Sequence, residues 1–226
     1  MSDVNWKSYP IVERGRLKAV INVKLYLALG DSITAGYGVG RPFSFPMVYA
    51  DFLRRHNPDL RMINLGVNGL TTGGLLALLK AQQEIRHLVS QASLITFTIG
   101  SNDLLRLIRN TNQPINLSYV PLVLNNMSRN FAQIGEEVRR LNPMATVKVA
   151  TLYNPLPAGS GTQYYVQAQA IIDNANTILA TWAKRYGFHV AFLDREIRGK
   201  ERLLIGQDHV HPNLAGYQVI AKTFAR

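Results

Sequence analysis

Four short polar clusters hold side chains that together could carry out acyl transfer: Gly30-Asp31-Ser32, Asn64-Leu65-Gly66-Val67-Asn68-Gly69, Gly100-Ser101-Asn102-Asp103 and Asp208-His209-Val210-His211-Pro212. A serine hydroxyl is a poor nucleophile until a base takes its proton, and that base needs an orienting acceptor on its other nitrogen. Asp208 stands three residues before His211. At that spacing a tight turn can bring the carboxylate to the imidazole Nδ1 and leave Nε2 facing Ser32. Acyl transfer also needs donors for the oxyanion, and the backbone N–H groups of Ser32 and Gly69 with the side-chain amide of Asn102 are the candidates. Each residue has a plainer reading. Asp31 and Ser32 suit a turn or a helix cap, Asn102 and Asp103 suit a second cap, and Gly66 and Gly69 suit turns with positive φ. Asp31 can orient the serine loop or cap a helix, and His56, His87 and His189 read as structural or solvated.

Chemistry of this kind needs elements that bring distant clusters to one place. Short runs rich in branched residues predict strands at residues 25–29, 61–65, 93–99, 146–152 and 189–193. Helical patterns lie between them. The clearest puts Tyr164, Ala168, Ile171, Ala175, Ile178 and Trp182 at three- and four-residue steps, a stripe expected to pack on a sheet. Such alternation predicts an α/β layered fold with a parallel sheet covered on both faces. Sites in these folds gather at the carboxyl ends of strands, and all four polar clusters fall at such ends.

The chain has 226 residues, 47% of them hydrophobic, enough for one domain with a full core. Residues 21–226 read as that domain and residues 1–20 as an N-terminal extension. Cysteine is absent, which excludes disulfides, thiolate metal ligands and a cysteine nucleophile. No apolar run approaches the ~18 residues of a membrane span. No targeting signal is read in the chain as given, so a cytoplasmic location is preferred over secretion after loss of a signal. The formal charge of +11 raises the question of nucleic acid. Its basic residues are scattered as pairs such as Arg54-Arg55, or interleaved with acids between Asp194 and Arg202. That pattern argues against specific nucleic-acid recognition and leaves attraction to anionic surfaces as a secondary expectation.

The blocks GDSIT, NLGVNG, GSND and DHVHP, in this order, resemble the GDSL/SGNH hydrolases, particularly the bacterial lipase and acylhydrolase branch. The match runs from about Leu25 to the C-terminus. It implies a flavodoxin-like three-layer αβα fold with about five parallel strands. It assigns the nucleophile to Ser32, the rest of the triad to Asp208 and His211, and the oxyanion hole to Ser32, Gly69 and Asn102, with no cofactor and no metal. Ile33 stands where the family name has leucine, an apolar exchange that leaves the chemistry intact.

The expected function is therefore a serine ester hydrolase acting on a small-molecule or lipid ester. A carbohydrate acetylesterase or a thioesterase on the same site is the alternative. Two readings from other classes compete with it: Asp208, His209 and His211 as metal ligands, and a noncatalytic binder of anionic polymers. An α/β-hydrolase elbow, G-x-S-x-G, is excluded by Thr34. Stretches 36–45, 71–79, 108–120 and 153–161 are expected to wall the acyl and alcohol sites as loops. Pro212 is expected to open a C-terminal helix through Leu214, Tyr217 and Ile220, and His209 to be dispensable.

Overall fold

Alternating residues of the first strand separate the molecule into its two halves. In β1 (Leu25–Gly30), Leu25, Leu27 and Leu29 join one hydrophobic cluster, while Tyr26 and Ala28 join the other. A strand buried on both faces must sit between two helical layers, and the computed structural model, which describes residues 23–109, 117–157 and 163–226, has that arrangement. The extension expected at residues 1–20 lies outside the described residues.

Four further strands complete one sheet: β2 (Arg61–Gly66), β3 (Leu94–Thr98), β4 (Thr146–Ala150) and β5 (His189–Ala191). All pairings are parallel, in the order β2-β1-β3-β4-β5. This is the flavodoxin-like order, in which the chain moves outward from β1 to β2 and then returns to β3 on the other side. The crevice at the reversal lies between the carboxyl ends of β1 and β3. The serine cluster and the Asn102 cluster leave the sheet there.

One helical layer contains α3 (Thr72–Ala81), α4 (Gln83–Gln91), α6 (Val120–Leu141) and α7 (Gln163–Arg185). Phe131 of α6 stacks on Trp182 of α7, ring centroids 4.7 Å apart, and both are buried in that layer. The opposite layer is built from α2 (Phe45–Arg54), α8 (Leu193–Ile197), α9 (Glu201–Leu204) and α10 (Leu214–Ala225). Phe45 and Phe224 stack there at 4.7 Å. Two short helices, α1 (Ser32–Ala35) and α5 (Ser101–Arg109), follow β1 and β3 directly.

Four expectations are corrected. The buried stripe of α7 runs through Ile172, Ala175, Leu179, Trp182 and Ala183, whereas Ile171 and Ile178 are half-buried and Tyr164 is exposed. The step from 175 to 182 matches two turns of a 3.6-residue helix, but Tyr164 lies in the first turn of α7 and remains at the surface. The fifth strand stops at Ala191, because Leu193 already begins α8. Stretch 71–79 is the start of α3, capped by the Thr71 side chain accepting from the Gly74 N–H, and is not a loop. Pro212 instead bridges Ile205, and α10 begins at Leu214 with Asn213 as its cap. Stretches 108–120 and 153–161 lie partly outside the described residues.

Candidate active site

Asp31 is the N-cap of α1, and its Oδ1 accepts from the Ile33 N–H at 3.1 Å. The same oxygen accepts from Thr98 Oγ1 at 2.9 Å, and Thr34 Oγ1 lies 2.6 Å from Thr98 Oγ1. Asp31 thus fills both roles expected of it: it caps the helix and ties the serine turn to the end of β3. From the other side, Asn64 Nδ2 donates to the Thr34 carbonyl at 2.7 Å. Gly66 does not have positive φ, contrary to expectation. Its constraint is space, since a Cβ there would lie 2.2 Å from the Ala35 nitrogen. Gly69 does have positive φ, at 77°.

Burial pushes the Asp31 carboxyl up to about 7, against the lowering effect of its bonds from Thr98 and Ile33. An unfolded chain holds it at the ordinary value of 3.8. Between these values the folded protein binds the proton and the unfolded chain does not, so stability falls as pH rises from about 4 to about 7. Asp31→Asn removes that slope. The variant is expected to gain stability over the parent above pH 7, by up to ~4 kcal/mol, and to lose the gain near pH 4. Thermal midpoints at pH 4.5 and 8 test this, and an equal difference at both pH values contradicts it.

The histidine cluster is a local device. Asp208 Oδ1 accepts from the N–H groups of Val210 and His211 at 3.0 and 2.9 Å, and Oδ2 lies 2.6 Å from His211 Nδ1. Burial raises the Asp208 carboxyl, but the bonds from His211 and Val210 outweigh it, leaving the group below its ordinary value and ionised near neutrality. His211 Nε2 lies 2.9 Å from Ser32 Oγ. The chain carboxylate–imidazole–hydroxyl is therefore continuous, across 179 residues of sequence for its last link. His209 occupies the left-handed region at φ 56° and is exposed. This turn residue lets its neighbours on both sides meet. Among the described residues, no three histidine, cysteine or acidic side chains are disposed to share a metal ion.

Asn102 is buried at the start of α5, and its Nδ2 donates to the Leu70 carbonyl at 3.0 Å, next to Gly69. Among the described residues, the other N–H of that amide has no acceptor. The backbone N–H groups of Ser32 and Gly69 donate no turn or loop hydrogen bond to the described residues. Asp103, on the same helix, takes both the N–H and the hydroxyl of Thr72, at 2.9 and 2.6 Å. It serves to join α5 to α3.

Three supporting residues escape a reading of the sequence. The Tyr37 ring packs on His211, centroids 4.3 Å apart, and its carbonyl accepts from the Tyr217 hydroxyl at 3.0 Å. Tyr153 donates to the Val210 carbonyl at 2.9 Å and so holds the histidine turn from the β4 side. Thr98, the last residue of β3, holds Asp31 and Thr34 through its hydroxyl.

Known proteins resemble this chain in sequence and in fold. The model of the GDSL-like Lipase/Acylhydrolase family matches residues 28–219. The spore germination lipase LipC of Bacillus licheniformis is 25% identical over 209 residues, covering 87% of this chain and 92% of the lipase. Among solved structures, the lipase Lip_vut3 from a goat rumen metagenome shares the fold with a TM-score of 0.74 at 24% identity, over 89% of this chain and 95% of that one. Axe2, an acetylxylan esterase from Geobacillus stearothermophilus, shares it with a TM-score of 0.65 at 18% identity, over 90% and 93%. No helix among the described residues is long and apolar enough to cross a membrane. By sequence match and by fold, the chain belongs to the GDSL-like lipase/acylhydrolase family of carboxylic ester hydrolases.

Proposed function

We propose that this esterase works through an acyl-Ser32 intermediate, with His211 as general base and then general acid, and Asp208 as the residue that orients it. The observation that carries this reading is the hydrogen-bond chain from Ser32 Oγ to His211 Nε2 at 2.9 Å and from His211 Nδ1 to Asp208 Oδ2 at 2.6 Å. Ser32 Oγ gives its proton to Nε2 as it attacks the ester carbonyl, and the pair of C=O electrons moves to oxygen. The Ser32 and Gly69 N–H groups and the free N–H of Asn102 receive that charge. Collapse expels the alcohol, which takes the proton from His211. Water then repeats the sequence on the acyl-enzyme and releases the acid. A fluorophosphonate probe followed by peptide mass spectrometry tests the intermediate: the adduct is expected on the Ser32 peptide, and an adduct elsewhere refutes the assignment. Graded acyl esters, acyl thioesters and acetylated oligosaccharides assayed side by side rank the substrate classes.

The oxyanion assignment makes its own prediction. Asn102→Ala is expected to lower kcat by about 10²- to 10³-fold with a smaller change in KM, because the amide contributes chiefly when charge reaches the oxygen. The lost bond to the Leu70 carbonyl also costs stability, so the assay is run below a measured thermal midpoint. Unchanged kcat with a raised KM makes Asn102 a substrate-binding residue instead.

A further inference from the structure

A cavity of about 490 Å³ opens between α3, α5 and α6. Thr71 and Asp103 line it, each next in the chain to a partner of the Asn102–Leu70 hydrogen bond, together with Val123, Asn126, Arg129, Asn130 and Gln133 of α6. Arg106 completes it from α5. Asn102 and Arg106 are four residues apart on that helix, so they project from the same side about one turn, ~6 Å, from each other. Its volume suits a small ligand group.

The lining is a surplus of donors. Asn126 Oδ1 accepts from Arg129, and Gln133 Oε1 accepts from Lys80 at 2.6 Å, which leaves the two amide NH₂ groups without an acceptor in those pairs. Asn130 donates to Thr72 Oγ1 at 2.9 Å. The one carboxylate, Asp103, accepts from Thr72 on both oxygens; burial raises it from its ordinary value, against the lowering effects of those bonds and of the Arg106 charge. Arg106 and Arg129 form no ion pair within reach among the described residues. Two guanidinium groups and two amide NH₂ groups thus share the cavity with a single carboxylate that Thr72 already engages.

The geometry points to a subsite for an anionic group, a phosphate or a carboxylate, carried by the ester substrate and held by Arg106 and Arg129. This rests on the reading of Ser32 and Asn102 as the reacting centre, because only then does Arg106 stand one helical turn from a residue that meets the scissile carbonyl. A group with several acceptor oxygens meets both guanidinium groups and the amide NH₂ groups at once. Both arginines are exposed, so the attraction is screened by salt.

Two substrate pairs that differ in charge test the subsite and separate its sources: 1-lauroylglycerol against 1-lauroylglycerol 3-phosphate, and 4-nitrophenyl butyrate against mono-4-nitrophenyl glutarate. The parent is expected to favour the charged member of at least one pair by about tenfold in kcat/KM at low salt, chiefly through KM. The phosphate pair alone identifies a phosphate-bearing alcohol, and the glutarate pair alone identifies a carboxylate-bearing acyl group. The preference is expected to shrink in 0.5 M NaCl and in Arg106→Ala/Arg129→Ala, and to survive in Arg106→Lys/Arg129→Lys. A preference for the neutral member of both pairs, or one untouched by the double alanine variant, overturns the proposal. Calorimetry of the Ser32→Ala protein with glycerol 3-phosphate and with glutarate reads the subsite without turnover. Binding that the double alanine change abolishes supports the subsite even where the parent hydrolyses none of the four esters, a result that would refute only the hydrolytic mechanism. Absence of binding by both anions counts against the subsite whatever the parent hydrolyses.

Discussion

Ser32→Ala is expected to lose ester hydrolysis by about 10⁴-fold or more while keeping the parental thermal midpoint to within a few degrees. The hydroxyl is the atom that becomes acylated in the proposed mechanism, and no neighbouring group replaces it: the adjoining carboxyl, Asp31, caps α1 and is held by Thr98. Stability should survive because the hydroxyl has one side-chain partner, His211 Nε2, and that ring keeps Asp208 on its other nitrogen and is partly open to solvent. No buried donor is stranded by the change. The remaining activity is whatever the oxyanion donors and substrate binding supply alone. Parental kcat/KM in Ser32→Ala ends the serine mechanism. Loss of parental activity on chelation, restored by a divalent metal, revives the metal reading of Asp208 and the histidines.

What the sequence reveals about this site divides along the range of the interaction involved. The meeting of Asp208 with His211 is legible because it is local: three residues and one turn determine it, and the left-handed His209 is the only conformational demand. The sheet is legible for a related reason. Burial on both faces leaves Leu25 to Leu29 apolar throughout, and that run with four more short runs rich in branched residues, separated by helical patterns, admits few arrangements. Where an element ends is harder to read. The last strand stops at Ala191 because α8 begins two residues later, and Pro212 joins a bridge to Ile205 so that the helix waits for Asn213.

Partners far apart in sequence leave no comparable trace. Nothing near Asp31 indicates that Thr98 will hold its carboxyl, and nothing near His211 indicates that Tyr37 will lie against its ring. Gly66 shows the same difficulty in steric form. Its sequence neighbourhood suggests a turn, but the need for glycine comes from the backbone of α1 passing beside β2. The donor-rich cavity depends on three helices at once, and Arg106 becomes suggestive only once Asn102, four residues earlier, is assigned to the proposed oxyanion hole.

The two neighbouring histidines give the sharpest separation. His211→Ala is expected to lower kcat/KM by about 10³-fold or more, and His209→Ala to change it less than about threefold. The His211 ring bridges hydroxyl and carboxylate, so its removal takes away both the proton acceptor and the group that carries the proton to the leaving alcohol. Asp208 then keeps only its two backbone donors, which hold the turn but do no chemistry. His209 is exposed, and its N–H bonds to the Gly206 carbonyl at 3.1 Å, a contact of the backbone that alanine also makes. What alanine makes worse is the backbone angle. At φ 56° histidine is already uncommon and alanine no better suited, so His209→Ala is expected to lower the thermal midpoint slightly, and His209→Gly to restore or exceed the parental value with activity intact. This glycine variant separates a conformational role from a chemical one. Full activity in His209→Gly with a dead His211→Ala supports the assignment, whereas a dead His209→Gly with an active His211→Ala transfers the base to the neighbouring ring.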